Sequence, residues 1–470
     1  MNLVIHGNTL FAWTAAAQMA AQGHSVLLCP AWSVLITVPD DEVLREPGLR
    51  EAVLTQQSAG RLRLGKGVDV LLAAPGTAPD TAPDTPPVHQ HWLAQDAGPR
   101  RLQDHCEALL VAVCQQANAA SAMALPAFAV LTPYPIGTLV SLNAHLQAVF
   151  AYQCQQAKAD QRPVPSRAPV LYHFPLFVRG GFALHDFMNP SLLLLGCDES
   201  DAEAFLLEGL RPILRRAQET LWVSLAAAEV IKSGVNAMLA TRVSFMNELA
   251  ELCEVLQVDV EDVRQGLAAD PRIGSAYLEP GCGFGGPSFA DEVIDFSRTL
   301  EQSLDRPSLL GTVMSINQRQ RELLFRKVWR YFKGDLAGRC FVIWGASYKP
   351  GSSSVQGSAV HPLLQALWAQ GASTVVYDPM AGANLAAQYT DQPLLTVAES
   401  QAESLQGHSG QGVDALLVVT AWDEFSAPDY ALLKRALRTP VIFDGRNVYD
   451  PEFMQSQGFT YVGIGRGEIV

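Results

Sequence analysis

Lys232 and Asn236 stand four residues apart in a stretch with helical spacing of its apolar residues, so the two share one helix face. An ammonium and an amide donor aimed together can stabilise an alkoxide or a tetrahedral oxyanion in a water-poor cleft. Downstream, the loop GCGFGGPSFADE (281–292) is rich in glycine, as a backbone that packs close to a ligand requires. It carries Cys282, Ser288 and Glu292. A thiol of ordinary pKa near 8.5 readily becomes a thiolate, whereas a serine hydroxyl needs a general base. The loop contains no histidine to act as that base. Near the N-terminus the turn GNTLFA (7–12) follows a short apolar run. Gly7 and Ala12 fit the first and last positions of a dinucleotide-binding G-x-G-x-x-G/A turn, but Thr9 puts a β-branched side chain where a pyrophosphate needs close backbone approach.

These groups need elements to hold them. Leu3–His6, Gly7, residues 10–22 and Ser25–Cys29 read as strand, turn, helix and strand, a βαβ opening that implies a parallel sheet. Further strands are expected at Val68–Ala73, Ala127–Leu131 and Leu192–Gly196, and the Pro/Thr/Asp-rich residues 75–87 read as a loop. From about 203 to 268 the spacing predicts long helices without strands, residues 223–257 running for roughly nine turns. A second α/β unit begins near 337, with strands in GRCFVIWGASYKP, STVVYDP, ALLVVTAW and PVIFDGRN and a helix over 358–370. The fold class is α/β: two Rossmann-like parallel-sheet domains, 1–202 and 326–470, joined by a helical middle domain, 203–325, with one long central helix.

Composition narrows the function classes. The chain has 470 residues, 49% hydrophobic and 17% charged, which excludes a mostly disordered protein. Thirty-three Lys+Arg against 47 Asp+Glu give a net charge of −14, contrary to a basic nucleic-acid-binding surface. Eight cysteines are scattered without a CxxC pair, so neither a zinc site nor a disulfide framework is expected; they read as reduced thiols of a cytoplasmic protein. The N-terminal stretch lacks a basic region and is interrupted by polar residues, so export is not expected, and no apolar run is long enough to span a membrane.

With that layout in place, several segments resemble the UDP-glucose/GDP-mannose dehydrogenase family. They are EVIKSGVNAMLATRVSFMNELAELCE and DPRIGSAYLEPGCGFGGPSFADEV between 229 and 293, together with EPGL (46–49), GRLR (60–63), RGGFALHDFMNP (179–190), YKPGSSS (348–354), VVYDP (375–379), AWDEF (421–425) and FDGRN (443–447). The resemblance implies NAD as cofactor and an oxidation of a nucleotide sugar at C6, from alcohol through aldehyde to carboxylate, in the service of polysaccharide or lipid-linked sugar synthesis. UDP-glucose is the first candidate, with an N-acetylhexosamine derivative or GDP-mannose also open. It further implies a homodimer built on the central helix.

Carried over residue by residue, the resemblance makes Lys232 and Asn236 the oxyanion-supporting pair. It makes Arg272, Tyr277, Gly285, Tyr348, Lys349 and Arg446 sugar-nucleotide contacts, with Arg272 reaching across a dimer. Gly7, Thr9 and Ala12 fall on the cofactor turn. Departures cluster at the chemistry. Pro287 and Ser288 stand where the family has Ser and its nucleophilic Cys, and Asp291-Glu292 replaces Lys-Asp. Leu176 replaces the catalytic Glu, Gly180 a second acid, and Pro133 a threonine. Pro30 stands where the ribose acid is expected, with Asp40 and Asp41 as substitutes, and Ser353, Ser354 and Gln356 replace two acids and an arginine. Cys282 reads as a small buried filler. The expected function is therefore a nucleotide-sugar dehydrogenase with weak or incomplete chemistry; the alternative is a non-catalytic UDP-sugar binder or a regulatory partner of an active homologue.

Overall fold

The computed structural model describes residues 1–30, 42–65, 90–94, 98–115, 127–163, 168–198, 203–286 and 288–466. The expected strand Val68–Ala73, the loop 75–87, Asp40, Asp41 and Pro287 lie outside them. The chain divides into two compact units, Met1–Gly234 and Val235–Val470, the boundary falling within one continuous helix, Leu225–Leu256.

In the first unit the described strands are β1 (Asn2–His6), β2 (Ser25–Cys29), β3 (Leu62–Leu64), β4 (Gln90–Leu93), β5 (Ala127–Val130), β6 (Leu171–His173), β7 (Leu192–Gly196) and β8 (Glu219–Val223). Their order is β3-β2-β1-β4-β5-β6-β7-β8. Neighbours pair in parallel except β6 with β7. The short apolar runs suit this layout, because strands of a parallel sheet are covered on both faces. Alternation divides β1 between two core layers: Leu3 and Ile5 pack with Trp13 and Trp92, Val4 with Leu93, Leu102 and Leu139. β8 corrects the expectation of a strand-free region from 203. Its residues ETLWV sit at one end of the described sheet order with none fully buried, so neither an apolar run nor a clean alternation marks it in the sequence.

The second unit begins with helices, Val260–Ala269, Phe289–Leu304, Leu309–Arg321 and Leu323–Tyr331 after the long one, and Asp259 and Ser308 cap two of them through their side-chain oxygens. Its sheet holds β9 (Cys340–Trp344), β10 (Ser373–Tyr377), β11 (Leu395–Ala398), β12 (Ala415–Val418), β13 (Val441–Asp444) and β14 (Thr460–Val462), in the order β11-β10-β9-β12-β13-β14 and parallel throughout. The same 3-2-1-4-5-6 order thus appears in both units, and the α/β class with two Rossmann-like sheets is the observed fold. At the carboxyl end of β10, buried Asp378 accepts from Ala346 N, Ser347 N, Ser347 Oγ and Trp422 Nε1 through one oxygen, and from Met380 N and Ala381 N through the other. Among the described residues no helix is long and apolar enough to cross a membrane, and no cluster of metal-ligating side chains occurs.

Candidate functional site

The dinucleotide-type turn of the first unit is built as a closed corner. Gly7 has φ +137°, a backbone region that excludes most side chains, and its N–H reaches Cys29 O at 3.0 Å. Thr9 caps the helix Leu10–Ala21: its Oγ1 accepts from Ala12 N at 3.2 Å and donates to Ala94 O at 2.7 Å. Asn8 Oδ1 accepts from Trp13 Nε1 at 2.8 Å. The Thr9–Ala94 bond ties the turn after β1 to the residue after β4, at the point where strand order reverses and a dinucleotide would sit. Pro30, which follows β2, is buried and offers no acceptor side chain. The described residues of this corner do not fit a pyrophosphate held in the usual manner.

Lys232, buried on the long helix, donates from Nζ to Leu176 O at 3.3 Å and lies 4.7 Å from the centroid of the Phe177 ring. Position 176 therefore serves the lysine through its carbonyl while the leucine side chain, 5% exposed, joins the core with Trp92, Phe174 and Phe187. Glu229, three residues before Lys232, accepts from Gly137 N at 2.9 Å and Leu139 N at 2.8 Å, which holds the TPYPIGT loop at the start of the helix Thr138–Ala159. Burial raises its carboxyl pKa against the pull of those two amides.

Beneath the turn lies a group of histidines. His6 Nε2 is 3.1 Å from His91 Nδ1, and the His105 ring centroid is 4.8 Å from that of His6. Burial lowers all of these pKa values, to about 3 for His91, to about 4 for His105 and well below the usual value for His6. His173 on β6 is lowered to about 3, first by burial and then by the Lys232 charge.

In the second unit Asn236 Nδ2 donates to Glu292 Oε2 at 2.5 Å, so two of the expected catalytic residues meet. Ser288 is exposed at the start of the helix Phe289–Leu304, and its hydroxyl makes no capping bond. The glycine loop ahead of it is gripped on every side. Gly281 N donates to Asn247 Oδ1 at 2.9 Å, and Gly281 O accepts from Gln320 Nε2 at 2.8 Å. Asn317 brackets Phe284, accepting from its N–H at 2.8 Å and donating to its carbonyl at 3.1 Å. Gly286 N reaches Gln356 O at 3.0 Å. A Cβ at Gly285 would overlap the Gly357 carbonyl oxygen, and one at Gly286 would come within 2.8 Å of the Tyr348 ring.

Cys282 is fully buried, its Sγ 3.1 Å from Gly445 O, and burial pushes its thiol pKa up against the opposing Arg446 charge. It fills space and stays protonated. Arg446 follows Gly445 and donates from Nε to Val419 O at 2.7 Å. A Cβ on Gly281 would stand 3.0 Å from an Arg446 nitrogen. Lys349 Nζ sits 5.8 Å from the Tyr348 ring centroid. Gly285 belongs to the 281–286 loop, and Tyr348 and Arg446 border it. Arg272, 88% exposed, pairs with Asp270 at 2.6 Å. Tyr277, with φ +60°, is a half-exposed aromatic in a left-handed conformation. The amides Asn247, Asn317 and Gln320, almost wholly buried, are site-building residues that sequence reasoning missed. Their signal was an amide on an otherwise apolar helix face, which buries only when it has backbone to bond.

Comparison with known proteins places this geometry. Residues 226–319 match the central domain of the UDP-glucose/GDP-mannose dehydrogenase family and residues 342–451 its UDP binding domain. The chain is 38% identical over 295 residues to UDP-glucose 6-dehydrogenase of Pseudomonas aeruginosa, a match covering 62% of this chain and 64% of that protein. It is 28% identical over 428 residues to UDP-glucose 6-dehydrogenase of Rhizobium meliloti, covering 90% and 89%. The structure of a UDP-glucose dehydrogenase from Pyrobaculum islandicum shares the fold, with a TM-score of 0.77 at 24% identity over 99% of this chain and 97% of that one. Residues 226–319 and 342–451 are thus similar to the central and UDP binding domains of the UDP-glucose/GDP-mannose dehydrogenase family.

Proposed function

We propose that this chain binds a nucleotide sugar, UDP-glucose in the first place, at the glycine loop of its second unit, and carries the family reaction, NAD-dependent oxidation of the sugar at C6, weakly or incompletely. The observation that carries this reading is a contrast. The loop 281–286, with Tyr348 and Arg446 beside it, is held to backbone tolerance, as a ligand cradle must be. Three positions that the family resemblance assigns to nucleophile, acid and cofactor turn are altered: Leu176 lies in the core, Ser288 offers an exposed hydroxyl, and Thr9 closes the cofactor turn. Lys232 and Asn236 contribute the donors, Lys232 with its ammonium held by a backbone carbonyl and Asn236 with its amide on Glu292. A second reading, a non-catalytic UDP-sugar binder or regulatory partner, draws its support from the Thr9 closure.

The deciding measurement is NADH release from UDP-glucose and NAD, together with calorimetry of each ligand alone. The expected result is UDP-glucose binding with fewer than two NADH per sugar. Sustained release of two NADH per sugar would overturn the reading, and UDP-glucose binding without any NAD binding would favour the second one.

The division into 1–202, 203–325 and 326–470 belongs to the same proposal, with the middle part making a homodimer. Support comes from the long helix, where Met238, Phe245 and Leu252 are spaced by seven residues and are 62%, 51% and 50% exposed. That spacing draws an apolar seam along one side, which a second copy would cover. Phe245→Glu with Leu252→Glu is expected to turn a dimer into a monomer in sedimentation, while the thermal midpoint of each unit changes little. A double variant that still sediments as wild type would remove this interface.

A further inference from the structure

On the reading of the 281–286 loop as a nucleotide-sugar cradle, we infer that His361 is the residue that positions it. Backed by Tyr389, His361 fixes the backbone at Val355 and so sets the two residues on which the glycine loop is moulded. Those two are Gln356 and Gly357. Gly286 N donates to Gln356 O at 3.0 Å. A Cβ on Gly285 would lie 2.0 Å from the Gly357 carbonyl oxygen, and one on Gly357, at φ +66°, would lie 3.0 Å from Gly286 N. Two stretches of backbone in such contact share one shape, and whatever places one of them places the other.

Residues 350–358 carry no charged side chain, so they offer no charge of their own for an ion pair. Side chains from elsewhere hold their carbonyls instead. Asn384 Nδ2 donates to Ser353 O at 2.9 Å, His361 Nε2 to Val355 O at 2.7 Å and Arg321 Nη2 to Ser358 O at 3.1 Å. Asn384 and Arg321 act towards the ends of the segment, whereas His361 acts on the residue next to Gln356. A carbonyl only accepts, so Nε2 carries the imidazole hydrogen and the neutral ring accepts at Nδ1. Tyr389 supplies the donor there, its hydroxyl oxygen 2.8 Å from Nδ1. Burial lowers the pKa of the ring, the Val355 bond opposes this and the Arg321 charge adds to it. Tyr389 is steadied in turn by Trp368, edge-on with ring centroids 5.1 Å apart, and Trp368 Nε1 donates to Thr374 Oγ1 on β10 at 2.9 Å. A line of contacts thus runs from β10 through Trp368, Tyr389 and His361 to Val355. By it a segment without regular structure takes its position from the sheet.

The test compares full-length wild type with His361→Leu, His361→Gln and Tyr389→Phe. Hydrogen exchange is read over residues 281–286, and calorimetry reads the affinity for UDP-glucose. His361→Leu removes both ring nitrogens. It is expected to speed exchange at the Gly286 amide and to weaken UDP-glucose binding roughly tenfold, with exchange in β9 and β12 unchanged. Tyr389→Phe, which keeps the ring and drops the hydroxyl, should move both readouts the same way by less. Glutamine can place an amide N–H where Nε2 stands, so His361→Gln is expected to return both to within about twofold of wild type. A packing role alone would be met as well by leucine as by glutamine. Exchange and affinity unchanged in His361→Leu, no recovery in His361→Gln, or acceleration spread equally over β9 and β12 would each overturn the assignment. If the wild type itself does not bind UDP-glucose, the proposed function fails instead. Faster exchange at Gly286 in His361→Leu would then still support the positioning role, and unchanged exchange would overturn it.

Discussion

Lowering the pH from 7 to about 5 is expected to unfold the first unit while the second stays folded. His6, His91, His105 and His173 are buried as neutral rings with folded pKa values below the usual 6.5, reaching about 3 for His91 and His173 and about 4 for His105. The unfolded chain therefore takes up protons first. Stability is fully present well above pH 6.5 and is lost as the pH falls through the window from 6.5 towards about 3. Each histidine contributes a slope of about 1.4 kcal/mol per pH unit, so four together approach about 5 kcal/mol per unit, comparable with the whole stability of a domain. Of the described histidines in the second unit, only His361 shows the same direction of shift. Hydrogen exchange followed by mass spectrometry across a pH series separates the two units. Simultaneous unfolding of both, or an acid midpoint that does not fall in His91→Gln, would contradict the account.

Leu176→Glu is expected to destabilise the first unit by roughly 3–5 kcal/mol, even though it restores the residue type that the family resemblance places there. The leucine side chain is 5% exposed among aromatic neighbours, so the change removes apolar packing and buries a carboxyl group in its place. Lys232 is the cation near enough to offset part of that cost, since its Nζ already meets the carbonyl of residue 176. Leu176→Met, which conserves volume, should cost less than about 1.5 kcal/mol. Urea unfolding read by tryptophan fluorescence compares the two, Trp13 and Trp92 being buried reporters in this unit. A midpoint for Leu176→Glu equal to wild type would mean that the pocket is polar in solution.

Sequence reasoning reached the architecture because parallel strands announce themselves as short apolar runs, as in Leu3–His6 and Cys340–Trp344. It missed Glu219–Val223, whose half-exposed residues carry no such run, and the three-residue strands at 62–64, 171–173 and 460–462, which are too short to show a period. At the site, residue types were legible and partnerships were not. The pairing of Asn236 with Glu292 spans 56 positions and depends on how a helix and a loop fold together. Nor could the sequence tell that Thr9 would bond Ala94, because that contact crosses between β1 and β4. The left-handed backbone of Tyr277 is likewise invisible in a residue that ordinarily avoids it.

The acid at the tip of β10 has one more consequence. In a dinucleotide fold of this strand order, the carboxylate after the second strand reads the ribose hydroxyls. Asp378 stands at that place, but a carboxylate offers about four lone-pair sites and this one already receives six donors from its own chain. It is chemically saturated. The second sheet therefore repeats the topology of a ribose reader without being able to act as one. Duplicated architecture here does not mean duplicated recognition: a nucleotide held by this unit must be identified through its base, its phosphates or its sugar substituent, and replacing its ribose by a deoxyribose should matter little at the tip of β10.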